Sequence, residues 1–159
     1  MSFDPRIVEA KLALGMIGAE EMPELACDAL EAGLDGANIL RMAALIRPSG
    51  WETDQILPRF MIEAGLKRIS YEEACIRLAR QLARRILAEE LDPLDYTRDF
   101  ELLWIRANYS AAIQDAGLLD DQKATAEYIG QTKAELRNYA TDILRALITP
   151  GEPGVEILC

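Results

Sequence analysis

Arg77, Arg80 and Arg84 recur at intervals of three and four residues. On a helix that spacing sets all three side chains on one face. A guanidinium is a planar, permanently charged fork that grips carboxylates and phosphates through paired hydrogen bonds. Three of them on a rigid rod would hold an acidic partner. Residues 67–85 carry six bases (Lys67, Arg68, Arg77, Arg80, Arg84, Arg85) against Glu72 and Glu73. The chain as a whole runs the other way, with 17 Lys and Arg against 27 Asp and Glu and a net charge of −10. The competing use of these arginines is internal: pairing with the acidic stretch that follows, or with Glu73 and Glu89 of their own helix. Trp51 stands just after a Pro48-Ser49-Gly50 turn and offers an aromatic surface anchor. Arg77, Arg80, Arg84 and Trp51 are the candidate partner-binding residues.

Carboxylates are the other source of chemistry. Asp92, Asp95 and Asp99 stand at i, i+3 and i+7, which predicts a shared helix face. They lie in residues 89–121, where nine acids face only Arg98 and Arg106. Asp92-Pro93 also reads as a helix start, and Asp95 as a first-turn residue favoured by the helix dipole. Glu20, Glu21 and Glu24 resemble the Glu-Glu-x-x-Glu half of the magnesium site in all-α nucleotide pyrophosphohydrolases. Such a site needs several oxygens converging on a hard cation. It also needs a Glu-x-x-Asp pair on a facing helix; none follows at a suitable distance, and Pro23 interrupts the first half. No metal and no cofactor is expected.

The sequence contains no histidine. That removes Ser-His-Asp and Cys-His catalysis, His-ligated zinc and a histidine pH switch. Cys27, Cys75 and Cys159 form no C-x-x-C pair. An odd number of thiols, with no signal peptide recognisable in the early apolar run 12–19, predicts a reducing, cytoplasmic setting. Cys27 and Cys75 are expected as small core residues; Cys159 does not sit in a prenylation box. No stretch approaches the roughly 20 apolar residues that span a bilayer.

The stretch 29–45, ALEAGLDGANILRMAAL, has the spacing of a helix-turn-helix: Ala29 inside one helix, Gly33 in the turn, Ile39 anchoring the next. Asp28 falls where an apolar residue is wanted. Residues 20–47 hold six acids against Arg41 and Arg47, whereas DNA binding leans on basic contacts to phosphates. The charge favours a plain helical corner, which needs the same glycine for the same steric reason.

The segments EAGLDGANILRMAAL and AEELDPLDYTRDF also resemble a group of small, uncharacterised bacterial all-helical proteins. In these a Gly-x-Asp-x-x-x-Leu-Arg-x-Leu-Ala segment precedes an Asp-Pro-Leu-x-x-Ala-Arg segment. Gly33, Asp35, Ile39 or Leu40, Arg41 and Ala43, then Asp92, Pro93, Leu94 and Arg98, match that pattern across residues 31–45 and 88–100. Met42 replaces the usual Leu, and Thr97 the usual Ala. The resemblance covers about half the chain and consists of caps and core positions. It implies kinship of fold and carries no activity.

The elements that must position these residues are helical throughout. Asp4-Pro5 starts a first helix that Gly18 is expected to stop. Pro23 opens a second, ended by Gly33, and Asp35 caps a third that runs to about Ile46. A fourth lies within 54–64, late or kinked because of Pro58, and stops at Gly65. Ser70-x-x-Glu73 is a capping box for a fifth, from Tyr71 to about Glu90, with a stripe of Tyr71, Cys75, Leu78, Leu82 and Ile86. Asp92-Pro93 caps a sixth that buries Phe100, Leu103, Trp104 and Ala107. A short turn ends near Gly117. Asp120 or Asp121 opens a last helix to about Ile148, with Ile129, Leu136 and Leu147 inward; Gly130 costs about 1 kcal/mol there and marks a break or a close crossing.

The expected architecture is all-α, a single-domain bundle or orthogonal array of six to eight helices over 1–149 with a short tail at 150–159. The expected function is that of a non-enzymatic, cytoplasmic protein-interaction module, an adaptor or an acidic inhibitor of the immunity-protein kind. Its partner would be another protein, with a homodimer compatible, and neither membrane nor nucleic acid. The alternatives are a small metal- or nucleotide-dependent hydrolase built on helix-face carboxylates, and a helix-turn-helix-like regulator using residues 29–46.

Overall fold

A computed structural model describes residues 3–149. The fold is all-α: eight helices of seven residues or more and one four-residue helical turn, with no strand among the described residues. They are α1 (Pro5–Ala13), α2 (Met22–Glu31), α3 (Ala37–Ala43), α4 (Gly50–Glu63), α5 (Tyr71–Ala88), α6 (Thr97–Arg106), the short α7 (Gln114–Gly117), α8 (Leu119–Thr125) and α9 (Lys133–Ile148). Single 3₁₀ turns stand at Ala19–Glu21, Pro93–Asp95 and Ala111–Ile113. No described helix is long and apolar enough to cross a membrane. Within the helical stretch expected over 1–149 the chain divides into two compact units, Met1–Ser70 and Tyr71–Cys159. The expected tail at 150–159, with Cys159, lies outside the described residues.

In the first unit, Asp4 caps α1 by accepting from the amides of Arg6 and Ile7, with Pro5 in the first turn. The stop is Gly15, not Gly18. Gly15 takes a positive φ of 66°, cheap only without a Cβ, and α1 has already ended at Ala13. Gly18 instead starts the 3₁₀ turn, donating its amide to the Glu21 carboxylate at 2.7 Å. Helix α2 packs on α3 and α3 on α4. Their shared core contains Met22, Ala26, Ala29, Ile39, Met42, Ile56 and Phe60. Ile39, Met42 and Phe60 are fully buried, each contributing roughly 1.5–3 kcal/mol by leaving water. Glu9, buried on α1, accepts from the backbone amide of Lys67 and so ties the first helix to the segment after α4.

In the second unit, α5 buries Ala74, Cys75, Ile76, Leu78, Ala79, Ala83 and Ile86, with α6 and α9 packed against it. The stripe differs from expectation at its ends: Tyr71 is exposed and Leu82 only half-buried. Asp92 caps the 3₁₀ turn rather than α6 itself, accepting from Leu94. Phe100 and Ala107 are buried as expected, while Leu103 and Trp104 are half-buried.

The expected long last helix is two helices. Gly130 has a positive φ of 73°, the chain leaves helix after Thr125, and Thr132 caps a fresh start by accepting from the Glu135 amide. Ile129, placed by its spacing on an inner stripe, therefore sits in the connection and is exposed. Leu136, Ala140, Leu144 and Leu147 form the buried face of α9.

Candidate functional site

The arginine face lies on α5, but its three members are not equivalent. Arg77 Nε meets Glu73 Oε1 at 3.0 Å, with the Arg77 side chain 12% exposed and Glu73 41%. This is an i,i+4 pair with the acid on the N-terminal side, the favoured order on a helix. Arg80 is half-buried and Arg84 exposed. Arg85 pairs with Glu89 at 2.9 Å. Of the three candidates, Arg84 alone is exposed.

Trp51 sits at the start of α4. The local cause is a capping box at Ser49, inside the expected turn. Ser49 Oγ accepts from the Glu52 amide at 3.2 Å, and the Glu52 carboxylate accepts from the Ser49 amide at 3.1 Å. The helix thus starts at Gly50, not at 54, and passes through Pro58 without a break. Pro58 has no N–H for the Asp54 carbonyl, but both residues are exposed, so that oxygen is open to solvent. The corrected start fixes the phase. Thr53, Ile56, Phe60 and Met61 face inward. Trp51, Asp54, Gln55, Pro58, Arg59 and Ile62 form the outer face, all exposed. Trp51 is 72% and Ile62 78% exposed. Sequence reasoning found Trp51 and missed Pro58 and Ile62, because a helix begun at 54 leaves Trp51 in a turn. The Ser49-x-x-Glu52 box was the readable signal.

The corner at 29–46 is held from outside. Asp35 was expected to cap α3, yet the residue before the helix is Gly36, with no side-chain cap of its own. The cap comes from Glu63 at the end of α4. Its carboxylate accepts from the Asn38 amide at 2.7 Å, the Ile39 amide at 3.1 Å and the Asn38 side-chain amide at 2.6 Å. These hydrogen bonds, the Asn38 side chain foremost, hold the Glu63 carboxyl below the usual range against the opposing effect of burial. Arg41 donates to Asn38 Oδ1 at 3.2 Å. The outward positions of α3 are Ala37, Leu40 and Arg41, so one basic side chain stands on the helix a DNA reader would insert.

The carboxylates serve the fold. Asp92 accepts from Leu94 and pairs with Arg137 at 3.1 Å. Asp120 accepts from the buried Thr97 hydroxyl at 2.8 Å. Asp92, Asp95 and Asp99 do not share one helix face, because Asp92 caps and Asp95 ends the 3₁₀ turn, and Tyr96 separates that turn from α6, which carries Asp99. Among the described residues no three acidic or thiol side chains gather as a cation site. Cys27 is exposed, contrary to its expected core position, and Cys75 is buried. Burial pushes the Cys75 thiol up, with the Arg106 charge acting the other way. A shallow cleft of about 130 Å³ lies between Ala111–Ala116 and the last turns of α9, with Asp115 as its charged lining residue.

No protein family, no curated protein and no solved structure matches this chain.

Proposed function

We propose that this protein works by docking another protein chain on the outer face of α4, with Trp51 as the anchor and no chemistry of its own. One observation carries the reading. Trp51 and Ile62 are both more than two-thirds exposed on one face of a helix whose opposite face is already spent on the core, and Pro58 lies between them. Leaving large apolar side chains in water forgoes roughly 1.5–3 kcal/mol each, which a partner would recover. Tryptophan is also among the residues that most often dominate binding energy. The net charge of −10 attracts a basic partner at long range and opposes a like-charged one. The hydrolase alternative draws no support from carboxylates that act as caps and ion-pair partners. A cytoplasmic setting and kinship with the small bacterial helical proteins belong to the same proposal, the latter resting on turn, cap and core positions such as Gly33, Ile39 and Asp92.

The test is cross-linking of wild type and Ile62→Glu in cell extract, identification of the adduct, and reconstitution with the purified partner. Binding by wild type, weakened at least tenfold in a folded Ile62→Glu variant, supports the reading. Equal binding by both moves the surface elsewhere and refutes it.

A further inference from the structure

The outer face of α4 has an internal order that a generic apolar patch lacks. Trp51, Gln55, Pro58 and Ile62 follow one another at spacings of four, three and four residues, the alternation of a two-stranded helical seam. Asp54 and Arg59 flank that seam on opposite sides, five residues apart. In a parallel pair of identical helices, the flanking residue of one strand meets the flanking residue five positions later on the other. Asp54 would then meet the partner's Arg59, and Arg59 the partner's Asp54. In an antiparallel pair, aspartate would face aspartate and arginine would face arginine. Within the chain, Asp54, Gln55 and Arg59 make no side-chain hydrogen bond or ion pair with a described residue.

From this we infer that the docking face proposed above receives a second copy of the same chain, pairing α4 with α4 in parallel about a twofold axis. Like residues meet along the seam. A polar Gln55 facing the partner's Gln55 fixes the register, as a single buried amide does in such seams. The seam is short, about 16 Å from Trp51 to Ile62 at 1.5 Å per residue. It buries less than the roughly 800 Å² per partner of a standard interface, so the association is weak and concentration-dependent. Two chains of −10 also repel, and the pairing is favoured at physiological ionic strength, where the Debye length is about 8 Å.

This inference rests on the docking reading, and one experiment separates the two. Sedimentation velocity of the full chain is run over a concentration series at physiological salt with reductant, on variants shown folded by circular dichroism. Wild type dimerises reversibly. Asp54→Arg and Arg59→Asp each weaken the dimer about tenfold by setting like charges across the seam. Asp54→Arg does so although it lowers the repulsive net charge. Mixing the two single variants restores association, and so does combining both changes in one chain. A wild type that stays monomeric to its solubility limit overturns the inference. So does a dimer indifferent to these charges, or a pair of variants that fail to rescue each other. If wild type is monomeric while Ile62→Glu still abolishes binding of a purified, different protein, self-pairing is refuted and the docking face stands.

Discussion

The carboxylate of Glu63 and the side-chain amide of Asn38 meet at 2.6 Å across 25 residues of sequence. The same carboxylate takes the amides of Asn38 and Ile39, so the last turn of α4 supplies the cap that α3 lacks. The helix that carries the exposed Trp51–Ile62 face is thereby fixed to the corner behind it.

The pH dependence of that clamp follows from its sign. Glu63 has its folded-state pKa lowered, chiefly by Asn38. Its contribution is therefore complete above the unfolded-chain value of about 4.3 and is lost as pH falls through the lower folded value. Hydrogen-exchange protection of the Asn38 and Ile39 amides should fall on acidification in wild type. In Glu63→Gln it should be lower at neutral pH and nearly flat with acid.

Gly36 has the same carboxylate against it. A Cβ there would collide with the Glu63 carboxylate and with Glu63 Cβ. Gly36→Ala should therefore push the cap away and reproduce the neutral-pH loss of protection at Asn38 and Ile39, while leaving α5–α9 amides unchanged.

In the second unit, Gly117 packs against Trp104, and a Cβ there would collide with Trp104 Cγ, Cβ and Cδ2. The ring is also held edge-on by Tyr109, centroids 5.0 Å apart. Gly117→Ala should destabilise this unit by about 1–3 kcal/mol, the usual cost of overpacking. Thermal unfolding followed by near-ultraviolet circular dichroism measures it.

Pro58→Ala should act in the opposite sense. It gives the Asp54 carbonyl its helical donor back and removes an interior proline, for a gain of about 1–3 kcal/mol in urea unfolding. A loss of stability would mean that the ring packs in a way its exposed position does not suggest.

The thiols should separate by reactivity. Cys27 is exposed, whereas Cys75 is buried with its thiol pushed up. Since the thiolate is the nucleophile, iodoacetamide at neutral pH should label Cys27 on the folded chain and Cys75 only after denaturant. Mass spectrometry of the peptides reads both.

The readable parts of this fold are those set by local chemistry. Asp4-Pro5 starts a helix, Pro23 opens the next, and Gly65 follows the end of α4, because caps, prolines and positive-φ glycines act within a few residues. What escaped was decided at a distance. Asp35 stands where a cap belongs, but Glu63 arrives from 25 residues away and fills the place. Ile129 keeps helical spacing with Leu136, but the chain breaks between them at Gly130. Cys27 reads as core until α2 is rotated to bury Ala26 and Ala29. For the candidate site, Arg77, Arg80 and Arg84 were placed correctly on one helix, but sequence spacing does not say that Glu73 holds Arg77. Trp51 was found by type alone; its companions Pro58 and Ile62 needed the true first residue of α4.

The most direct measurement places a photo-crosslinking phenylalanine derivative at Gln55, in the middle of the outer face of α4, and the same residue at Asp121, exposed on α8, as the control. On irradiation, the docking account predicts a discrete covalent adduct with a protein chain from position 55 and none from 121. No adduct from 55, or equal adducts from both, contradicts it.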